Sequence, residues 1–192
     1  STLLTTVVSV DPIYVYAGLL PWNFFASSLR FSVGSLTSNS TLLTKVYFPR
    51  ELLPFAAILV SLVDFAVGAT VLAGLMAWYH VGPHWTLLLL PVVVLVQVIF
   101  TAAVALLLAM GNLFYRDVKY LIEILITLWM LASSVVYPVS LLPAQVQLAI
   151  GWIPFFPLFA SYQAILAGGV PNPGLVLEAA VWAVVLLLVG GW

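Results

Sequence analysis

The sequence contains no cysteine, which excludes disulfides, thiolate metal sites and cysteine nucleophiles and leaves the redox compartment unread. It is almost as poor in charge. Lysine and arginine number 5 and aspartate and glutamate 6 in 192 residues, so 6% of the chain is charged, where an ordinary soluble domain carries about a quarter. A formal net charge of -1 offers no basic groove, so nucleic acid is not expected as a partner.

The signatures of nucleotide and acyl chemistry are missing as well. Neither Lys45 nor Lys119 follows a glycine, so there is no Walker A loop, and G-x-G-x-x-G is absent. G-x-S-x-G is absent too, which removes support for a serine nucleophile. His80 and His84 have a ligand-like spacing, but Val81-Gly82-Pro83 between them is not helical and no carboxylate is near. They read as interfacial loop residues rather than metal ligands. The expectation is a chain with no catalytic residues, no metal and no cofactor of its own.

What the chain does have is apolar length. Hydrophobic residues make up 65% of it, and runs near the length needed to cross a bilayer, about 20 residues, recur along it. Lipid is therefore the solvent to reason about, and only helices satisfy a single chain's backbone there one segment at a time. The predicted fold is all-α: one polytopic transmembrane domain over 1–192, with spans at about 13–36, 55–78, 87–111, 121–137 and 174–192. Pro21 is expected to kink the first. The chain begins Ser1-Thr2-Leu3 and stops at Trp192 inside an apolar run, and it reads as a fragment.

Five alternating spans place Arg30, Lys45, Arg50, Arg116 and Lys119, all the cations present, in or near loops on one side. By the positive-inside rule that side is the cytoplasm. The opposite loops carry His80 and His84 without lysine or arginine, and Trp22, Trp78, Tyr79 and Trp85 fall near that end like an aromatic belt. One region departs from the pattern. Segment 141–169 is apolar, but Pro143, Pro154 and Pro157 divide it into pieces too short to span. Two short re-entrant helices on the outer side are expected, the alternative being one kinked span that would put the C-terminal end outside.

The cytoplasmic loop 37–54 contains LLTKVYFPRE. Leu42, Leu43, Val46 and Tyr47 recur at helical spacing, with Thr41, Thr44 and Lys45 opposite, and Pro49 ends the helix after about two turns. Such a helix either lies flat in the headgroups or docks in a soluble partner. Asn39-Ser40-Thr41 matches a glycosylation acceptor, which a cytoplasmic position makes irrelevant. In the second loop Arg116 stands beside Asp117, and Lys119 precedes Glu123 by four residues, a solvated turn with a helix salt bridge.

Asp64 lies near the middle of the second span, where a carboxylate is costly unless neutral, paired or hydrated. Arg30, near the inner end of the first span, and Gln97 in the third are its candidate partners. A buried structural pair and a functional role both fit this placement.

Four blocks then occur in a telling order: GLLPWNFF at 18–25, SNSTLLTKVYFPRELLP at 38–54, YRDV at 115–118 and VVYPVSLLP at 135–143. Together they resemble the permease subunit of polysaccharide ABC exporters, the type-2 ABC exporter family that moves O-antigen, capsule and teichoic acid chains. KVYFPRE is the most specific block. The resemblance implies a six-span permease in the bacterial inner membrane, a homodimer working with two copies of a cytoplasmic ATPase that holds ATP and Mg. The first span and an interface helix would precede the sequence given. The resemblance makes Thr41, Leu42, Leu43, Lys45, Val46, Tyr47, Arg50 and Glu51 the ATPase-coupling segment, with Tyr115, Arg116 and Asp117 in the second cytoplasmic loop.

It also makes the outer segment a pair of gate helices. Family members commonly carry Asn-Pro and a following Arg there; Phe156-Pro157 and Gln163 stand in those places here. The implied cargo is a lipid-linked polysaccharide or polyol-phosphate polymer passing between two copies. Trp22, Phe24, Phe25, Trp129 and Tyr137 are candidate channel aromatics, since ring faces pack on sugars without demanding one hydrogen-bond pattern. Rival readings are a permease for drugs or small lipids and, more remotely, an intramembrane enzyme acting on lipid-linked sugars. For the enzyme, Asp11, Asp64 and Glu178 are too scattered in sequence.

Overall fold

The computed structural model describes residues 12–38, 52–79, 85–115, 117–132, 156–166 and 172–190. These form α1 (Pro12–Ser38), α2 (Leu52–Trp78), α3 (Leu90–Phe114), α4 (Val118–Ala132), α5 (Phe156–Leu166) and α6 (Pro173–Gly190), with a 3-10 turn, Trp85–Leu89, leading into α3. No strand occurs among the described residues. The protein is an all-α membrane protein, and α2 and the continuous stretch Trp85–Asn112 are long and apolar enough to cross a bilayer.

Local sequence sets the helix ends. Pro12, Pro91 and Pro173 stand in first turns, where a missing N–H breaks no hydrogen bond. Asn172 caps α6, its Oδ1 accepting the Gly174 N–H at 3.0 Å. At the other end of α3, the N–H of Tyr115 closes on Gly111 O and that of Val118 on Tyr115 O, so α3 turns into α4 within three residues.

α1 is the hub, touching α2, α3, α4 and α5. Trp22, Phe24 and Phe25 explain how. Side chains about 100° apart on a helix point to different neighbours, and these three sort themselves accordingly. Trp22 meets Phe159 of α5 at 6.1 Å, and Phe24 meets Phe65 of α2 edge-on at 5.6 Å. Phe25 lies between Phe100 of α3 and Trp129 of α4, at 6.0 and 5.5 Å. One short run of aromatics thereby holds four helices around α1. Between α3 and α6 the buried residues are small, Ala179 and Ala183 on α6 and several alanines on α3. Small side chains let the two backbones approach closely, which supplies packing where lipid gives no hydrophobic drive.

Contacts between helices fix their directions. Tyr16 bonds Gly68 O and Ser32 bonds Pro54 O, so α1 and α2 are antiparallel. Gln97 bonds Pro21 O and Asn112 bonds Val33 O, so α1 and α3 run the same way. α5 begins at the level of Trp22 and rises toward the Trp85 end, where the Thr86 hydroxyl donates to Ile165 O at 3.2 Å. It occupies only the half of the bundle assigned to the outside.

Candidate functional site

Two polar settings interrupt the apolar helices. The first is buried. Pro21 lies inside α1, which continues through it, and Pro21 O accepts the Gln97 side-chain N–H at 2.7 Å. The other end of the same amide, Gln97 Oε1, accepts the Tyr162 hydroxyl at 2.5 Å. Gln97 and Tyr162 are 1% and 3% exposed, so these bonds are sealed from water and tie α1, α3 and α5 at one point. A second buried bond, Asn112 Nδ2 to Val33 O at 2.8 Å, ties α1 to α3 near the opposite end.

The second setting is exposed. Asp64 sits twelve residues into α2, roughly 18 Å along the axis, and is exposed in the structure. Gln97 is turned to Pro21 and Tyr162, not to Asp64. Arg30 is likewise exposed on α1, and among the described residues no ion pair joins it to Asp64. Phe65, next to Asp64, faces Phe24, next to Asn23; Asp64 and Asn23 are therefore level, and both are exposed. Arg30 is seven residues further along α1, about 10 Å away along the axis.

Trp22, Phe24 and Phe25 are 2%, 3% and 0% exposed, packed within the subunit, and Trp129 is half-buried against Phe25. Tyr115 and Asp117 are exposed in the turn between α3 and α4. Lys119 and Glu123 are both exposed with no ion pair between them, consistent with the small value of such a pair in solvent. Thr41, Leu42, Leu43, Lys45, Val46, Tyr47, Arg50, Glu51, Arg116, Tyr137, His80 and His84 lie outside the described residues, as does segment 141–169 apart from 156–166. Among the described residues no three metal-ligating side chains come together.

The helical hub, the short α5 and the exposed turn between α3 and α4 occur in a chain that is 34% identical to the O-antigen export system permease protein RfbA of Myxococcus xanthus, over 92% of this chain and 69% of that one. The chain belongs to the O-antigen export permease family, the type-2 ABC exporter permeases. Two permeases of the same description from Klebsiella pneumoniae are each 25% identical over 93% of this chain and 69% of their own length. No protein-family profile matches it.

For this permease, sequence reasoning singled out Gln97 but missed its partner Tyr162, because a tyrosine in an apolar helix carries no mark of what its hydroxyl meets. It missed Asn112 for a similar reason, since a residue beside a loop reads as solvated. Asn23 and Ser27 could have been found. With Arg30 they recur at spacings of four and three, the period of one helix face.

Proposed function

We propose that the chain is the membrane-spanning subunit of an ATP-driven exporter that moves a lipid-linked polysaccharide across the cytoplasmic membrane. The observation that carries this reading is the 34% identity to an O-antigen export permease over nearly the whole chain. Five crossings, α1 to α4 and α6, leave α5 as an outer re-entrant segment; its 11 residues reach only about 16 Å, and its half-depth position supports that placement. All cations then face the cytoplasm, where the helix around Thr41 to Tyr47, with Lys45, Arg50 and Glu51, docks in a separate ABC ATPase.

ATP binding closes the ATPase pair, and that motion enters the membrane through the docked helix. Its natural receiver is α1, which leads into the loop and packs on four other helices. Two copies of the chain enclose the path of the polymer. The test is complementation: a bacterium deleted for its own O-antigen permease receives the full-length protein together with its ATPase. Surface polysaccharide is expected to return. Resistance to amphiphilic drugs without surface polymer would instead make it an exporter of small lipid-like molecules.

A further inference from the structure

Among the described residues α5 is the shortest α-helix, yet it is tightly seated. Leu158, Phe159, Ser161, Tyr162 and Ile165 are at most 3% exposed, and they recur at the spacing of one helix side. Three contacts tie α5 to different neighbours. Phe159 packs on Trp22 of α1, Ile165 O accepts the Thr86 hydroxyl from the turn before α3, and the Tyr162 hydroxyl donates to Gln97 Oε1 of α3.

Ring packing and hydrogen bonding respond differently to displacement. Apolar contact is non-directional, so Phe159 can slide on Trp22 at small cost, whereas a hydrogen bond weakens steeply away from its geometry. Tyr162 therefore fixes α5 to Gln97. The far end of the same amide, Gln97 Nε2, donates to Pro21 O. Pro21 has no N–H for the carbonyl four residues back, so the ladder of α1 lacks a bond at this turn. Gln97 clasps α1 there, and α1 runs on to Ser38, about 25 Å further. Phe25, one turn below the clasp, is wedged between Phe100 of α3 and Trp129 of α4.

The joint has no low-cost alternative. Gln97 and Tyr162 are both buried. An apolar cavity of about 20 Å³, walled by Leu20, Phe65, Leu72 and Leu90, adjoins Tyr162. A cavity lined in that way stays dry and offers a released hydroxyl no partner. Breaking the bond there strands a buried polar group instead of exchanging it with water. α5 is thus bound to move with Gln97 and α1.

We propose that Gln97 and Tyr162 are positioning residues that make α5 follow α1, so that a displacement of α1 at its Ser38 end reaches the other half of the bundle through the Pro21–Gln97–Tyr162 joint. This rests on the transport reading above, in which α1 receives the motion of the docked ATPase. Packed side chains and hydrogen-bond networks carry coupling between distant sites, and α1, α3 and α5 provide both without a break.

The test uses the full-length protein, freed of any other cysteine and assembled with its ATPase. A fluorescent probe on Gln163→Cys, half-buried on α5, is read with the ATPase empty and with a non-hydrolysable ATP analogue bound. Nucleotide is expected to shift its spectrum; a silent probe would overturn the proposal. Tyr162→Phe, which removes only the hydroxyl, should reduce the shift at least about fivefold, the low end of ordinary coupling between sites. Gln97→Leu breaks the same joint from α3 if Tyr162→Phe does not assemble. Asn112→Leu breaks the Asn112–Val33 tie, which does not involve α5, and should retain the shift. A full shift with the joint broken, or an equal loss with Asn112→Leu, would reduce Gln97 and Tyr162 to stabilisers of the fold. Surface polymer, measured in parallel, tests the transport reading by itself: a shifting probe in a protein that exports no polymer would sink that reading and leave the joint standing.

Discussion

Gln97 binds at both ends of its amide, and its environment turns two ordinary hydrogen bonds into a three-helix tie. Interhelical bonds of this kind in membrane proteins contribute about 0.6 kcal/mol on average and up to about 1.7. Removing the amide also leaves a buried hydroxyl stranded, which adds to the loss. Gln97→Leu, which keeps the volume, is expected to destabilise the protein by about 1–2 kcal/mol on these grounds. Tyr162→Phe should cost about 0.5–1 kcal/mol alone and almost nothing once Gln97 is gone. Unfolding of the single and double variants in detergent measures the coupling; additive losses would show that the two side chains act independently. Asp64→Asn tests the opposite case. Since Asp64 has no bond within the described residues, its loss of charge should change stability by less than about 0.5 kcal/mol. A lowered rate of polymer export at normal assembly would then be the mark of a charge that acts in transport.

At the scale of elements, apolar length made the helices legible, because a backbone in lipid has few other ways to satisfy itself. The Pro173 start of α6 and the long run of α2 follow directly from composition and breakers. Partnering was not legible. Trp22, Phe24 and Phe25 read as channel aromatics or as lipid-facing belt residues, and their ring contacts with α2 to α5 depend on packing around α1 that no single segment carries. Close approach is likewise a tertiary property. A Cβ on Gly68 would run into the Leu20 side chain at the point where Tyr16 reaches Gly68 O. Gly68→Val should therefore push α1 from α2 and cost about 1–3 kcal/mol, the usual range for overpacking. Gly68→Ala should cost less, since the tip of Leu20 can rotate away. Folded yield and thermal midpoint of the two variants rank the effect, and equal behaviour would show that the contact is slack.

For the whole molecule, orientation carries the strongest consequences. α1 and α3 run parallel and α2 against them, so the Asn112 and Val33 ends share one side with the C-terminal end of α1 and the start of α2. If α5 only dips into the outer half, α4 and α6 cross in opposite senses and the residues after Gly190 are cytoplasmic. If segment 141–169 crosses instead, they lie outside. A protease-sensitive tag placed after Gly190 in the full-length protein is expected to be cut only in inside-out vesicles; cutting in right-side-out cells would convert the outer segment into a span. The same preparations test coupling. Lys45→Ala with Arg50→Ala should abolish co-purification of the ATPase while leaving tag orientation and the Gln97 tie untouched, because the hydrogen bonds and ring contacts that join the described helices are made by other residues. An ATPase that stayed bound after loss of the whole loop would require another dock, and the exposed Tyr115 and Asp117 in the turn between α3 and α4 would be the next residues to vary.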